Sequence, residues 1–272
     1  MPAWSEHFAQ VRGLTIHYYR IGGDSLPAII LLHGVMDNGL GWIPVARNLQ
    51  EHFDVLMPDA RGHGKTGGSL EGFSYQLLAE DVAALIRALG LENVYLFGHS
   101  MGAMTAAMVA ARSPELVRAV VLEDPPFMDP LTAPTRAEEA AEQIQQFFQS
   151  LLALKELPTG QRLVIARQYN PLWDEIELAP WVESKLEFNP DVFRHLERVV
   201  PWRDLLPRIR CPILLVTGDP EAHAIITDQV AEEGARLWQQ GKEIQIAGAG
   251  HCIHRDRYAE PMSQIQSFLS EV

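Results

Sequence analysis

Apolar positions along the 272-residue chain follow two rhythms. Around Gly13 they alternate with polar ones, over 8–12 (FAQVR) and 14–20 (LTIHYYR), which predicts an antiparallel hairpin at a sheet edge. Short continuous apolar runs follow: AIILL at 28–32, DVLMP at 54–58, VYLFG at 94–98, AVVLE at 119–123, ILLVTG at 213–218 and EIQIAG at 243–248. Runs of this kind are the pattern of strands buried on both faces. Between them the apolar residues recur at helical spacing. Over 74–90, Leu77, Leu78, Val82, Leu85, Ile86 and Leu89 share one face, with Ser74 at the N-cap position and Gly90 at the stop. Helices are likewise expected near 101–112, 228–240 and 259–270. Strand and helix therefore alternate, the signature of an α/β chain with a mostly parallel sheet covered on both faces.

One stretch breaks the alternation. Residues 127–206 hold no strand-like run, but helical ones at 136–155, 161–169 and 191–200, separated by Pro158, Pro171, Pro180, Pro190 and Pro201. This predicts a helical insertion between two strands of a core made from 1–126 and 207–272. No internal repeat or low-complexity tract is apparent.

Composition narrows the function classes. With 47% apolar residues the chain can fill a large core, and with 22 basic against 35 acidic residues its formal net charge is −13. A phosphate-binding surface is not expected, so nucleic acid is not the expected partner. The start, MPAWSEHFAQVRG, lacks a basic segment followed by a long apolar one, and no apolar run is long enough to span a bilayer. A soluble, cytoplasmic chain without membrane association is expected, monomeric or homodimeric. Cys211 and Cys252, two cysteines in all, are too few for a disulfide framework or a cysteine zinc site and read as free thiols.

The chemistry centres on Gly98-His99-Ser100-Met101-Gly102, set between an apolar run and an alanine-rich helical one. Ser100 is either an ordinary helix N-cap or a nucleophile on a sharp strand-to-helix turn. The second reading requires a base, and His251, in AGAGHCIHRD beyond the last expected strand, is the candidate. His254 lies three residues on, yet no carboxylate and cysteine spacing completes a zinc site, so no metal and no cofactor is expected. A tetrahedral intermediate needs two oxyanion donors. The Met101 amide, next after Ser100, is one. The Val35 amide, after His33-Gly34, is the other candidate.

Together these segments resemble the α/β-hydrolase family: His33-Gly34, DARGHGKT at 59–66, GHSMG at 98–102, CPILLVTGD at 211–219 and GAGH at 248–251 stand in that family's order and spacing. The resemblance covers nearly the whole chain and implies an eight-stranded, mostly parallel sheet, with 127–206 as a helical cap over the active site. DARGHGKT ends like a phosphate-binding loop but has Asp59 where that motif needs glycine. In the family this segment is a structural turn, and His63 is architectural.

The triad acid, whose work is to fix the histidine tautomer, stays open between two positions. The family's usual site falls on Glu221, in GDPEAH. Some members, certain haloalkane dehalogenases and the zearalenone lactonases among them, place it after the strand following the elbow helix, which falls on Asp124, in VVLEDPPF. Asp124 is the first candidate and Glu221 the alternative, with Asp219 and Glu123 behind them. Met36, Met101 and Met104 from the core, and Phe147, Phe148, Leu151, Trp173, Trp181 and Trp202 from the cap, are candidate linings of the substrate pocket. They favour an apolar or aromatic small molecule. The expected activity is a cofactor-independent serine esterase or lactonase. Carbon–carbon bond hydrolysis of ring-cleavage products and cofactor-free perhydrolysis are alternatives on a similar triad, and a non-catalytic ligand receptor is the rival of another class.

Overall fold

The computed structural model describes residues 4–128, 154, 156–196 and 200–272. Its eight strands are β1 (Ser5–Val11), β2 (Leu14–Ile21), β3 (Ala28–Leu32), β4 (Asp54–Pro58), β5 (Val94–His99), β6 (Val117–Glu123), β7 (Ile213–Thr217) and β8 (Gly241–Gln245). They form one sheet in the order β1-β2-β4-β3-β5-β6-β7-β8. β1 pairs with β2 and β2 with β4 antiparallel; all other neighbours are parallel. This is the α/β-hydrolase fold.

The continuous apolar runs are explained by what covers the sheet. On β3, Ile30 and Leu32 join a core shared with the helices α2 (Tyr75–Ala88) and α3 (Met101–Arg112), whereas Ile29 and Leu31 join a second core on the opposite face. Helix α1 (Ile43–Leu49) and the C-terminal helix Ala259–Glu271 cover that second face. Both sides of the strand are thus dry, and an alternating polar residue would be stranded in either core. Helix α2 begins where its sequence predicts: Ser74 accepts a hydrogen bond from the Leu77 amide at 3.2 Å, and Gly90 past its end has a left-handed φ of 64°.

Several elements differ from the sequence reading. The last strand is Gly241–Gln245 rather than 243–248, and it is largely exposed because it forms the sheet edge. Helix α1 and the single helical turn Trp202–Leu205 form where the apolar pattern carries no helical signal. The helix expected over 228–240 ends at Leu237. Between β6 and β7 lie helix α4 (Thr159–Tyr169), helix α5 (Glu175–Glu187) and the turn Val192–His195. Pro180 does not separate two helices but lies inside α5. A proline there forfeits one backbone hydrogen bond. Burial of Leu178, Trp181 and Val182 on one face, with Asp174 capping the Ile176 amide at 3.0 Å, outweighs the loss. Of the helix expected over 136–155, only Leu154 is among the described residues, and it is helical; within 191–200, residues 197–199 lie outside them.

The strand order also locates the crevice. β3 has β4 on one side and β5 on the other, so the connections leaving β3 and β5 run in opposite directions from the sheet's C-terminal edge. Open parallel sheets bind ligands at such a switch point.

Candidate active site

At that edge, β5 passes into α3 through Ser100, which holds φ 52° and ψ −117°, a strained conformation for a residue with a Cβ. Its hydroxyl makes no capping hydrogen bond to α3, so the N-cap reading is not supported by the geometry. The turn is kept tight by the Ser100 amide donating to the Glu123 carbonyl at 2.9 Å. The flanking glycines are dictated by space. A Cβ on Gly98 would overlap the Gly102 backbone, and one on Gly102 would overlap the Leu32 carbonyl of β3. The G-x-S-x-G spacing therefore lets the elbow press against its neighbouring strand.

β6 ends one strand over. Register pairs His99 with Glu123, so the next residue, Asp124, lies beside the elbow. Asp124 is fully buried with φ 40°, and its carboxylate collects three directed donors. The Ile226 amide donates to Oδ1 at 3.0 Å, the Ile225 amide to Oδ2 at 2.8 Å, and His251 Nδ1 to Oδ2 at 2.6 Å. A carboxylate accepting from Nδ1 places that ring's proton on Nδ1 and leaves the Nε2 lone pair available. The His251 side chain is 33% exposed, and its ring centroid lies 4.6 Å from that of His99, the residue before Ser100. His99 Nε2 also donates to the His251 carbonyl at 2.9 Å, tying the histidine loop to the elbow. Burial opposes the imidazolium of His251, but the hydrogen bond and charge of Asp124, with Glu123 and Asp256 further off, outweigh it and raise the pKa above the ordinary imidazole value.

The other acid candidates have different surroundings. Glu221 is exposed in a turn after β7, where its amide donates to Asp219 Oδ1 at 2.9 Å. Glu123 is buried against His254, with Nδ1 and Oε1 2.8 Å apart, and the His254 ring stacks on Trp42 at 4.5 Å.

The donor loop follows β3. Gly34 to Asp37 form a turn closed by the Asp37 amide on the Gly34 carbonyl at 3.2 Å, with Met36 at a left-handed φ of 66°. A Cβ built on Gly34 would lie 3.4 Å from Ser100 Cβ, so this turn sits directly against the elbow. Val35 occupies the turn's first central position, and Met101 heads α3, where N–H groups lack intrahelical partners. His33 stabilises the loop from behind: its Nδ1 donates to the Gly34 carbonyl at 2.8 Å and its Nε2 accepts from the Ala60 amide at 3.0 Å. Burial lowers its pKa, in keeping with a neutral ring.

DARGHGKT is organised by Asp59, whose buried carboxylate accepts from the Gly39 amide, the Lys65 amide and His17 Nδ1, each at 2.8 Å. His63 is fully buried, and burial pushes its pKa down to about 3.

Sequence reasoning missed a group of buried charges behind the donor loop. Asp37 pairs with Arg255 at 2.9 Å and Lys185 at 3.7 Å, and Glu177 lies beside Arg255. Burial would raise Asp37, but Arg255 and Lys185 hold its carboxyl well below the usual carboxylate range. No periodicity marks these residues; the available signal was an acid in the donor loop and a base in the histidine loop.

The candidate lining residues are strongly buried. Met104 and Met101 pack in the core under α3, and Met36 lies in the donor turn. Trp173 donates Nε1 to Asp256 Oδ1 at 2.9 Å and stacks under the Arg255 guanidinium, while Lys185 sits 4.9 Å over the Trp181 ring. Trp202 stacks on Phe127. Phe147, Phe148 and Leu151 lie outside the described residues.

A strained strand-to-helix elbow at the edge of an eight-stranded, mostly parallel sheet defines a class, and sequence comparison agrees with it. Residues 27–258 match the family model described as alpha/beta hydrolase fold. The chain belongs to that family and is a hydrolase. It is similar to the sn-1-specific diacylglycerol lipase ABHD11 of Mus musculus, with 28% identity over 96% of this chain and 87% of that one. A putative esterase/lipase of Haemophilus influenzae is 31% identical over 90% of this chain and 84% of its own length. Among solved structures, E-2-(acetamidomethylene)succinate hydrolase superposes with a TM-score of 0.81 at 20% identity, covering 98% of this chain and 100% of that one.

Proposed function

We propose that the chain is a serine esterase or lactonase in which Ser100, His251 and Asp124 form the catalytic triad and the Val35 and Met101 amides form the oxyanion hole. The observation that carries this reading is the 2.6 Å contact of His251 Nδ1 with the buried Asp124 carboxylate, beside a serine held at φ 52°. Esterase and lipase names among the relatives support the ester class.

Ser100 Oγ attacks the carbonyl carbon while its proton passes to His251 Nε2. The two amides receive the developing oxyanion, and Asp124 stabilises the imidazolium. Collapse of the tetrahedral intermediate breaks the bond to the leaving oxygen, which takes the proton from His251. In a lactone that oxygen stays tethered to the acyl chain. Water, deprotonated by His251, then attacks the acyl-enzyme, and Ser100 leaves with the returned proton, releasing the acid. The insertion between β6 and β7 acts as a cap, and its tryptophans with Met36 bias the site toward apolar or aromatic acyl groups. The substrate is a small molecule.

Hydrolysis of short and long p-nitrophenyl esters and of aryl lactones by the wild type and Ser100→Ala tests the proposal. Ser100-dependent turnover supports it. A folded wild type that cleaves vinylogous diketones but no ester would move the activity to carbon–carbon bond hydrolysis.

A further inference from the structure

Lys185 is a cation with almost no access to solvent, its side chain 4% exposed on helix α5 of the insertion. Burying an ammonium is costly unless its donors are used. Here they are spent on the donor loop. Nζ donates to the Met36 carbonyl at 2.8 Å and to Ser184 Oγ at 3.2 Å, and lies 3.7 Å from Asp37 Oδ1. Met36 is the residue that holds the left-handed φ of the turn, and a methionine has a Cβ that disfavours this conformation. The carbonyl that Lys185 grips belongs to the peptide leaving that strained residue. The adjoining residues are clamped as well: Asn38 Nδ2 donates to Glu187 Oε2 at 3.0 Å, and Arg255 donates to the Gly41 carbonyl at 3.0 Å. Without such a clamp the turn is free to relax toward unstrained φ values, swinging the Val35 N–H away from Ser100.

We infer that Lys185 is a positioning residue of the reaction: delivered by the insertion, it holds the Met36 carbonyl and so keeps the donor turn in the conformation that aims the Val35 N–H at the oxyanion. The inference rests on the reading of Ser100 and Val35 given above. It makes the insertion part of the oxyanion hole rather than a cover alone, since closing α5 onto the core completes the turn. Lys185 touches no reacting atom.

Steady-state hydrolysis of a p-nitrophenyl ester by Lys185→Met and Lys185→Arg, beside wild type and Ser100→Ala, tests it. Lys185→Met is expected to lower kcat at least about tenfold with KM changed less than about threefold, because misplaced donors penalise the transition state alone. Inhibition by an aryl trifluoromethyl ketone, whose hemiketal oxyanion on Ser100 needs the same donors, weakens in proportion. Lys185→Arg, which keeps cation and donors, recovers part of kcat. Wild-type kcat and ketone inhibition in a folded Lys185→Met, alongside Ser100-dependent wild-type turnover, overturn the positioning role alone. Absence of Ser100-dependent turnover on every ester overturns the functional reading and this role with it.

If Lys185→Met fails to fold, the wild-type pH profile decides. Burial lowers the pKa of the Lys185 ammonium to about 8, against the charge of Asp37 on the donor loop and with Arg255 lowering it further, while burial keeps the nearby Cys252 thiol neutral. Deprotonation weakens the charge-assisted bond to Met36. The expected result is a kcat that declines as pH rises through about 8 with KM flat. A kcat constant up to about pH 11, past the ordinary lysine value of about 10.4, overturns the role.

Discussion

His251 Nδ1 lies 2.6 Å from Oδ2 of Asp124, a carboxylate on the end of β6. Glu221, at the position after β7 that the family more often uses, is exposed, in a turn where its amide donates to Asp219 Oδ1. The Ile225 and Ile226 amides of the β7 side reach across instead and bond to Asp124, so the loop that could have carried an acid serves as its anchor.

Removing this partner is expected to be severe. Asp124→Asn should lower kcat by about 10³–10⁴-fold with the protein folded, because the amide favours the wrong histidine tautomer. Glu221→Gln should stay within about twofold of wild type. Parallel ester kinetics on the two variants check this, and the reverse ranking would move the acid to Glu221.

In the proposed mechanism the raised pKa of His251 sets the acid side of the activity profile. A general base must be neutral, so with His251 in that role kcat/KM should fall as pH drops through a midpoint above the ordinary imidazole value of about 6.5. In Asp124→Asn the residual activity should show a lower midpoint. Stability runs the other way. A histidine whose pKa is higher folded than unfolded stabilises the fold fully below about 6.5 and loses that contribution as pH rises through the folded value. Urea titrations of wild type and His251→Gln at several pH values check the sign.

Gly102→Ala should be among the most damaging single changes. Its new Cβ overlaps the Leu32 carbonyl, which belongs to a buried strand and cannot yield as a flexible side chain could. A loss of about 3 kcal/mol or more is expected, with activity reduced beyond the folded fraction because the elbow shifts. Chemical denaturation and the specific activity of the soluble fraction measure the two effects.

Glu123 tests whether a carboxylate next to Asp124 is structural. It pairs with His254 at 2.8 Å in a fully buried setting under Trp42. Glu123→Gln keeps a neutral hydrogen bond and should cost about 1–2 kcal/mol of stability while leaving kcat within about threefold. Thermal unfolding and ester kinetics separate the two.

The fold was legible because burial on both sheet faces writes itself into the sequence as unbroken apolar runs. β3, β4 and β5 fall where AIILL, DVLMP and VYLFG stand. β8 was harder, since an edge strand with exposed positions carries little apolar signal, and its true span begins at Gly241. Helix α5 was hidden by Pro180, whose local preference is overridden by the packing of Trp181 and Val182. At the candidate site, Ser100 stands out because Gly98 and Gly102 flank it for steric reasons that leave a spacing, and His251 because it follows Gly248 and Gly250 just beyond the last strand. Lys185, Asp37 and Arg255 left none: their burial comes from contacts between segments up to 218 residues apart (37 to 255), which no local pattern records.

The central claim, that Ser100 is a nucleophile activated by His251, is tested most directly by covalent labelling. Incubation with an alkyl fluorophosphonate followed by peptide mass analysis should place one adduct per chain on Ser100, with hydrolysis of p-nitrophenyl esters lost in step. His251→Ala should label slower by orders of magnitude. An adduct confined to another residue, or undiminished ester hydrolysis after complete modification of Ser100, would contradict the account.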